Sequence, residues 1–177
     1  RRIDTGQVGW HCEKVSDGCK HCYAETFNGR MLPNGGTGLP YSKPSRAKVE
    51  TFLDENILEQ PLRWRKPRRV FVCSMTDLFG EWVPFDVIDK VFAVMALAPQ
   101  HRFQVLTKRP ERMREYLAQP NPCERLIATA YDLFGEDAEI FASNYLNGWS
   151  QPKGAPVDNP PVGTLGRWPL PNVWLGT

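Results

Sequence analysis

No stretch of the 177-residue sequence approaches the roughly 20 consecutive apolar residues that a membrane-spanning helix needs. The opening "RRIDTGQVGW" is basic but has no apolar region after it, so an intact secretory signal is absent and a cytoplasmic setting is expected. Charge of one sign is missing too: 22 Lys and Arg against 20 Asp and Glu leave +2, too little for a strong field over the whole molecule. No internal repeat of fixed period is present, which excludes a solenoid or a propeller. Cysteine is scarce, at five, and an odd, unevenly spaced set without an export signal argues against a disulfide framework. The 41% hydrophobic and 24% charged composition is that of an ordinary globular chain, and the length suits a single domain over residues 1–177.

Three of the five cysteines are nevertheless crowded into "WHCEKVSDGCKHCYAE", residues 10–25, as Cys12-x6-Cys19-x2-Cys22. A structural zinc normally takes four protein ligands, and a four-iron cluster takes one ligand per iron. Three thiols leave one corner open. In an iron-sulfur cluster an open iron can bind a small molecule; in a zinc site His11 or His21 would have to fill the gap. The spacing points to a metal and leaves both metals standing. Cys73 reads as a small buried hydrophobe, and so does Cys123 beside Pro122.

The rest of the chain alternates between strand and helix signals. Residues 28–48, "NGRMLPNGGTGLPYSKPSRAK", are rich in Gly, Pro and Ser and read as a long irregular surface loop. The β-branched and aromatic run "RVFVCS" predicts a strand over Val70 to Ser74. Val87, Val91 and Met95 are four apart with Ile88 and Phe92 beside them, after a Pro84 suited to a first turn, so a helix is expected to end before Pro99. "RFQVLT" is a second strand, Pro110 opens a helix with Met113 and Leu117 facing inward, and Leu126, Ile127, Ala130 and Phe134 define another, capped by Gly135. A Pro/Gly-rich connection over 148–171 leads to a last strand in "NVWLGT". Strand-helix alternation with short links implies parallel strands, as in barrels and doubly wound sheets. The expected fold is therefore α/β, a partial parallel TIM-like β/α barrel, with the chain an incomplete portion of a longer protein.

In such sheets ligands gather beyond the carboxyl ends of the strands. After the first strand come Ser74 and Asp77; after the second come Lys108 and Arg109. These four are the candidate cofactor-binding residues, with Asp77 placed to accept from an amino group or ribose hydroxyl and Lys108 or Arg109 to meet a carboxylate. The plainer alternatives are a turn residue for Asp77 and a solvated helix start for the two cations. Glu25 and Glu81 lie near the same region in sequence. The run "LRWRKPRRVF" places Arg63, Arg65, Lys66, Arg68 and Arg69 within seven residues, either as a solvated face or as a phosphate-contacting patch.

The segments "GCKHCYAE", "PLRWRKPRRVFVCSMTDLFGEWVP", "VFAVMALAPQHRFQVLTKRPERMREYL" and "WPLPNVWLGT" resemble a phage- and bacteria-associated three-cysteine-motif family of unknown function, itself regarded as similar to radical S-adenosylmethionine enzymes. The resemblance implies that Cys12, Cys19 and Cys22 each bind one iron of a 4Fe-4S cluster. S-adenosylmethionine would take the fourth iron, and an electron donor would drive formation of a 5'-deoxyadenosyl radical on an unknown substrate. The first cysteine gap is three residues longer than in the commonest radical-enzyme pattern. His21 stands where an aromatic residue usually precedes the last cysteine. Phage association makes a nucleic acid or nucleotide the natural substrate class. The reading from a different class is a zinc-binding, non-catalytic module of a phage or mobile element that binds nucleic acid through Arg63 to Arg69.

Overall fold

The computed structural model describes residues 1–30, 36–138 and 168–177. Most of the expected connection over 148–171 and part of the loop over 28–48 lie outside these residues.

Three parallel strands, β1 (Arg69–Val72), β2 (Arg102–Leu106) and β3 (Val173–Gly176), form an open sheet in the order β1-β2-β3. Val70 pairs with Phe103 and Phe103 with Val173, so the β-branched and aromatic residues of one row share a face. The fold is thus mixed α/β with a small parallel sheet that does not close on itself. Strand β1 is shorter than expected because Cys73 adopts a left-handed backbone, φ 54, which cannot continue an extended run.

Helix α5 (Phe85–Leu97) lies against the inner face of this sheet. Pro84, in extended conformation, starts it, and from Val91 to Leu97 every residue is buried. A helix that is apolar all round belongs in the middle of a core. Its one buried acid, Asp89, accepts from the Tyr116 hydroxyl at 2.8 Å and from both Nε and Nη2 of Arg125 at 3.1 Å. The helices that carry these partners are α6 (Pro110–Leu117) and α7 (Pro122–Phe134), each with proline in its first turn, which was expected of Pro110 alone. On α6 the fully buried residue is Tyr116, ringed by Phe79, Phe85, Phe92 and Trp168, while Met113 and Leu117 are only partly covered. On α7, Leu126 and Ala130 are buried and Gly135, at φ 55, closes the helix.

The sheet's amino edge is tied down by His101. Its Nδ1 accepts the Arg68 N–H at 3.1 Å, and its Nε2 donates to the Pro61 carbonyl at 2.9 Å. These two bonds fix a neutral imidazole with the proton on Nε2. Pro61 belongs to the short helix α4 (Gln60–Arg63), which follows α3 (Glu55–Leu58).

The part of residues 28–48 that is described is not a loose surface loop. Asn28, Thr37, Tyr41 and Ser45 are buried there, and α2 (Lys43–Arg46) is capped by the Ser42 side chain. Asn28 organises it: Oδ1 accepts from Thr37 N–H at 2.6 Å and from the Thr37 hydroxyl at 3.0 Å, and Nδ2 donates to the Leu39 carbonyl at 2.7 Å. Gly36 is required at the point of approach, since a Cβ there would fall 2.1 Å from the Asn28 carbonyl oxygen. Composition signalled a loop because the backbone here is satisfied by one side chain, a pattern without periodicity.

Candidate functional site

The carboxyl ends of β1 and β2 carry the residues singled out from sequence, and the structure gives several of them different tasks. Asp77 is buried and its carboxylate is fully engaged by the protein. Oδ1 accepts from Phe79 N–H at 2.9 Å and the Thr107 hydroxyl at 2.7 Å, and Oδ2 accepts from Lys108 N–H and from Arg109 Nη1, each at 3.0 Å. Arg109 is equally committed. Besides Asp77 it donates from Nε to Glu81 at 2.9 Å and from Nη2 to the Glu13 carbonyl at 3.3 Å, and its guanidinium lies 4.7 Å over the Trp82 ring. Asp77 and Arg109 thus each spend charge on the other, and Arg109 on Glu81 as well. They join the two strand ends into one rigid edge. The bond to Phe79 is the turn contact expected of an aspartate, and the contacts to Thr107, Lys108 and Arg109 come on top of it.

Lys108 and Ser74 differ from that pair. Lys108 gives only its backbone N–H to Asp77, and its exposed side chain runs along the cysteine segment, where a Cβ on Gly18 would lie 3.4 Å from its Cε. Ser74 is half-buried, and its carbonyl accepts the Tyr23 hydroxyl at 2.5 Å.

That last bond is one of four that seat the amino-terminal segment on the strand ends. Thr76 donates its hydroxyl to the His11 carbonyl at 2.6 Å, Tyr41 donates to the Met75 carbonyl at 3.0 Å, and Arg109 reaches the Glu13 carbonyl. The segment carries a single turn, η1 (Asp17–Cys19), and the helix α1 (Tyr23–Arg30). Glu25 on α1 accepts the Tyr41 N–H at 2.9 Å and pairs with Lys14 at 2.5 Å, so it clamps the segment's two halves.

Cys12, Cys19 and Cys22 are all half-buried free thiols on this segment. The Cys22 charge acts on Cys12, both act on Tyr41, and Lys14 responds to Cys19 and Cys22. The three thiols thus border one region with Lys14 and Lys108 at its rim. Within it they are unequal. Burial pushes the Cys12 thiol up to about 11. Burial also raises Cys19, but hydrogen bonds from the Val15 and Ser16 backbone and the Ser16 side chain, with the Lys108 charge, outweigh it and leave the thiol lowered. Cys73, under the segment, is pushed up to about 12 by burial and then by the charges of Asp77 and Cys12.

As donors, three thiols on the carboxyl edge suit a metal or cluster in number and kind. As arranged, no three His, Cys, Asp or Glu side chains among the described residues lie close enough to hold an ion. Two of the thiols have local partners, Cys12 the Glu13 carbonyl at 3.8 Å and Cys19 the Ser16 hydroxyl at 3.7 Å. Neither neighbouring imidazole completes the set. His21 is exposed, and His11 holds the Thr37 hydroxyl through Nδ1 at 3.2 Å while burial drives its pKa down to about 4.

Sequence reading missed Thr107, Glu13 and Trp82 as parts of this edge. Thr107 was legible only as a strand end, Glu13 contributes a backbone atom, and Trp82 is one of six tryptophans.

No curated protein and no solved structure matches this chain. One family, described as "Protein of unknown function (DUF5131)", matches residues 5–177, and with nearly its whole length inside that match the protein belongs to this family.

Proposed function

We propose that this protein is an iron-sulfur enzyme of the radical S-adenosylmethionine type, working in the cytoplasm on a substrate of the nucleic acid or nucleotide class and fed by an external electron donor. The observation that carries the reading is the seating of a three-thiol segment on the carboxyl edge of a parallel sheet, where α/β enzymes gather their ligands. Five free thiols suit a reducing compartment.

Cys12, Cys19 and Cys22 would hold the cluster, which supplies, when bound, the electron that cleaves the sulfonium of S-adenosylmethionine. The chain's own residues do the rest. Asp77 and Arg109 fix the edge, Glu25 and Lys14 clamp the segment, and Lys108 offers an exposed cation to a carboxylate. Ser74 stands beside it with a hydroxyl. The open three-stranded sheet, with α5 on one face, is read as a β/α unit of the TIM-like kind.

Zinc is the second reading, favoured by one observation: Nε2 of His11 is buried without a partner, next in sequence to Cys12. In that case the chain is a metal-stabilised, non-catalytic module. Anaerobic purification with metal and sulfide analysis separates the two. A brown protein containing iron and sulfide, which releases 5'-deoxyadenosine on reduction with S-adenosylmethionine and loses its colour in Cys19→Ala but not in Cys123→Ala, is the expected result. Stoichiometric zinc and a colourless protein would overturn it.

A further inference from the structure

Helix α5 packs on one face of the sheet; among the described residues nothing covers the other. Parallel sheets are ordinarily covered on both faces, so an uncovered one calls for an occupant. Its side chains follow from the register. Arg69 of β1 is paired with Arg102 of β2, and two residues further along Phe71, Gln104 and Trp174 form a row across all three strands. Leu106 is the next residue of β2 on this face and leans over β3, where a Cβ on Gly176 would lie 2.8 Å from its Cδ2. The aromatic and apolar members are well exposed: Phe71 at 44%, Leu106 at 52% and Trp174 at 57%.

The two arginines are directly opposed, an arrangement that costs stability unless an anion lies between them. None is supplied. Among the described residues no acidic side chain pairs with Arg69 or Arg102, nor with Arg65, Lys66 or Arg68 on the approach to β1. The rows are spaced by about 7 Å at the ordinary rise of a strand, comparable to the reach from a nucleotide's phosphate to its base. Exposed aromatics on a sheet are the device by which proteins stack unpaired bases, and Gln104 between them presents both a donor and an acceptor to a base edge.

We propose that this open face binds single-stranded nucleic acid, with phosphates held by Arg69 and Arg102 and bases stacked on Phe71 and Trp174. The cations flanking β1 extend the phosphate track. A patch of charge alone would take duplex and single strand alike; the aromatic row selects unpaired bases. The surface stands independently of any metal at the cysteine segment.

The test is fluorescence anisotropy of a labelled, mixed-sequence single-stranded oligonucleotide titrated with the purified full chain between about 50 and 200 mM salt. Binding should weaken with salt, and the Arg69→Ala/Arg102→Ala double variant should lower the log–log salt slope by about 1.4, two phosphate contacts' worth. Phe71→Ala and Trp174→Ala should each weaken binding about 5- to 150-fold, with Trp174→Phe restoring most of the loss. Arg114→Ala on α6 should match the parent, and circular dichroism should show every variant folded. Equal affinity for a duplex of the same length, an unchanged affinity in both aromatic variants, or the same loss in Arg114→Ala as in the double arginine variant would each overturn the proposal.

Discussion

Nη1 of Arg109 donates to Oδ2 of Asp77 at 3.0 Å, with both side chains buried, and this contact bridges the carboxyl ends of β1 and β2. A buried pair adds little over well-packed apolar residues, yet losing one partner leaves the other's charge stranded. Arg109→Ala should therefore destabilise the protein by about 3–5 kcal/mol, and the Asp77→Ala/Arg109→Ala double variant by clearly less than the sum of the two single variants. Urea denaturation of the four proteins checks this; additive losses would mean the two residues act separately.

Removing the Asn28 side chain should loosen the amino-terminal segment without melting the sheet. Asn28→Ala strands Thr37 and Leu39 backbone groups, at about 1–3 kcal/mol for local opening. Cys12 and Cys22 should then react faster with a thiol reagent, while far-ultraviolet circular dichroism and the main thermal transition change little. Gly36→Ala, which drives a Cβ into the Asn28 carbonyl, should do the same more strongly.

Thiol reactivity in metal-free protein should follow the order set by environment. The thiolate is the nucleophile. With its thiol lowered, Cys19 should be alkylated first at pH 8, ahead of Cys12 at about 11 and Cys73 at about 12. Peptide mapping after brief iodoacetamide treatment reads this directly, and early labelling of Cys73 would count against the buried position under the segment.

Acid should weaken the fold through His101. Burial lowers its pKa below the ordinary 6.5, so the unfolded chain binds a proton more readily than the folded one. The stability is complete above about pH 6.5 and is lost as the pH falls through the lower, folded value. Urea midpoints should drop between pH 7.5 and 5. His101→Gln, which has no titrating group, should start less stable and show a shallower drop, part of the slope remaining with His11.

The strand-helix alternation from β1 through α7 was legible because each element announces itself by period and punctuation: Pro84 and Pro110 before helices, Gly135 after one. The ends were less so. Strand β1 stops at Val72 because Cys73 turns left-handed, and no composition rule assigns that conformation to a cysteine. The site was partly legible. Strand-end logic found Asp77, Lys108 and Arg109, but residue type alone cannot tell an acid waiting for a ligand from one already satisfied by an arginine 32 positions away. The open face was invisible in sequence, because Phe71, Gln104 and Trp174 become neighbours only through the register of three strands drawn from distant parts of the chain.

The contacts that seat the cysteine segment fall largely on main-chain oxygens, those of His11, Glu13, Ser74 and Met75. Main-chain oxygens are common to every amino acid, so these four bonds ask for no particular side chain at the accepting positions, although the buried His11 ring has its own bond to Thr37. The segment's own share of the mount is two phenol hydroxyls, Tyr23 and Tyr41, so a designer who keeps these could vary exposed positions between them without redrawing the sheet beneath.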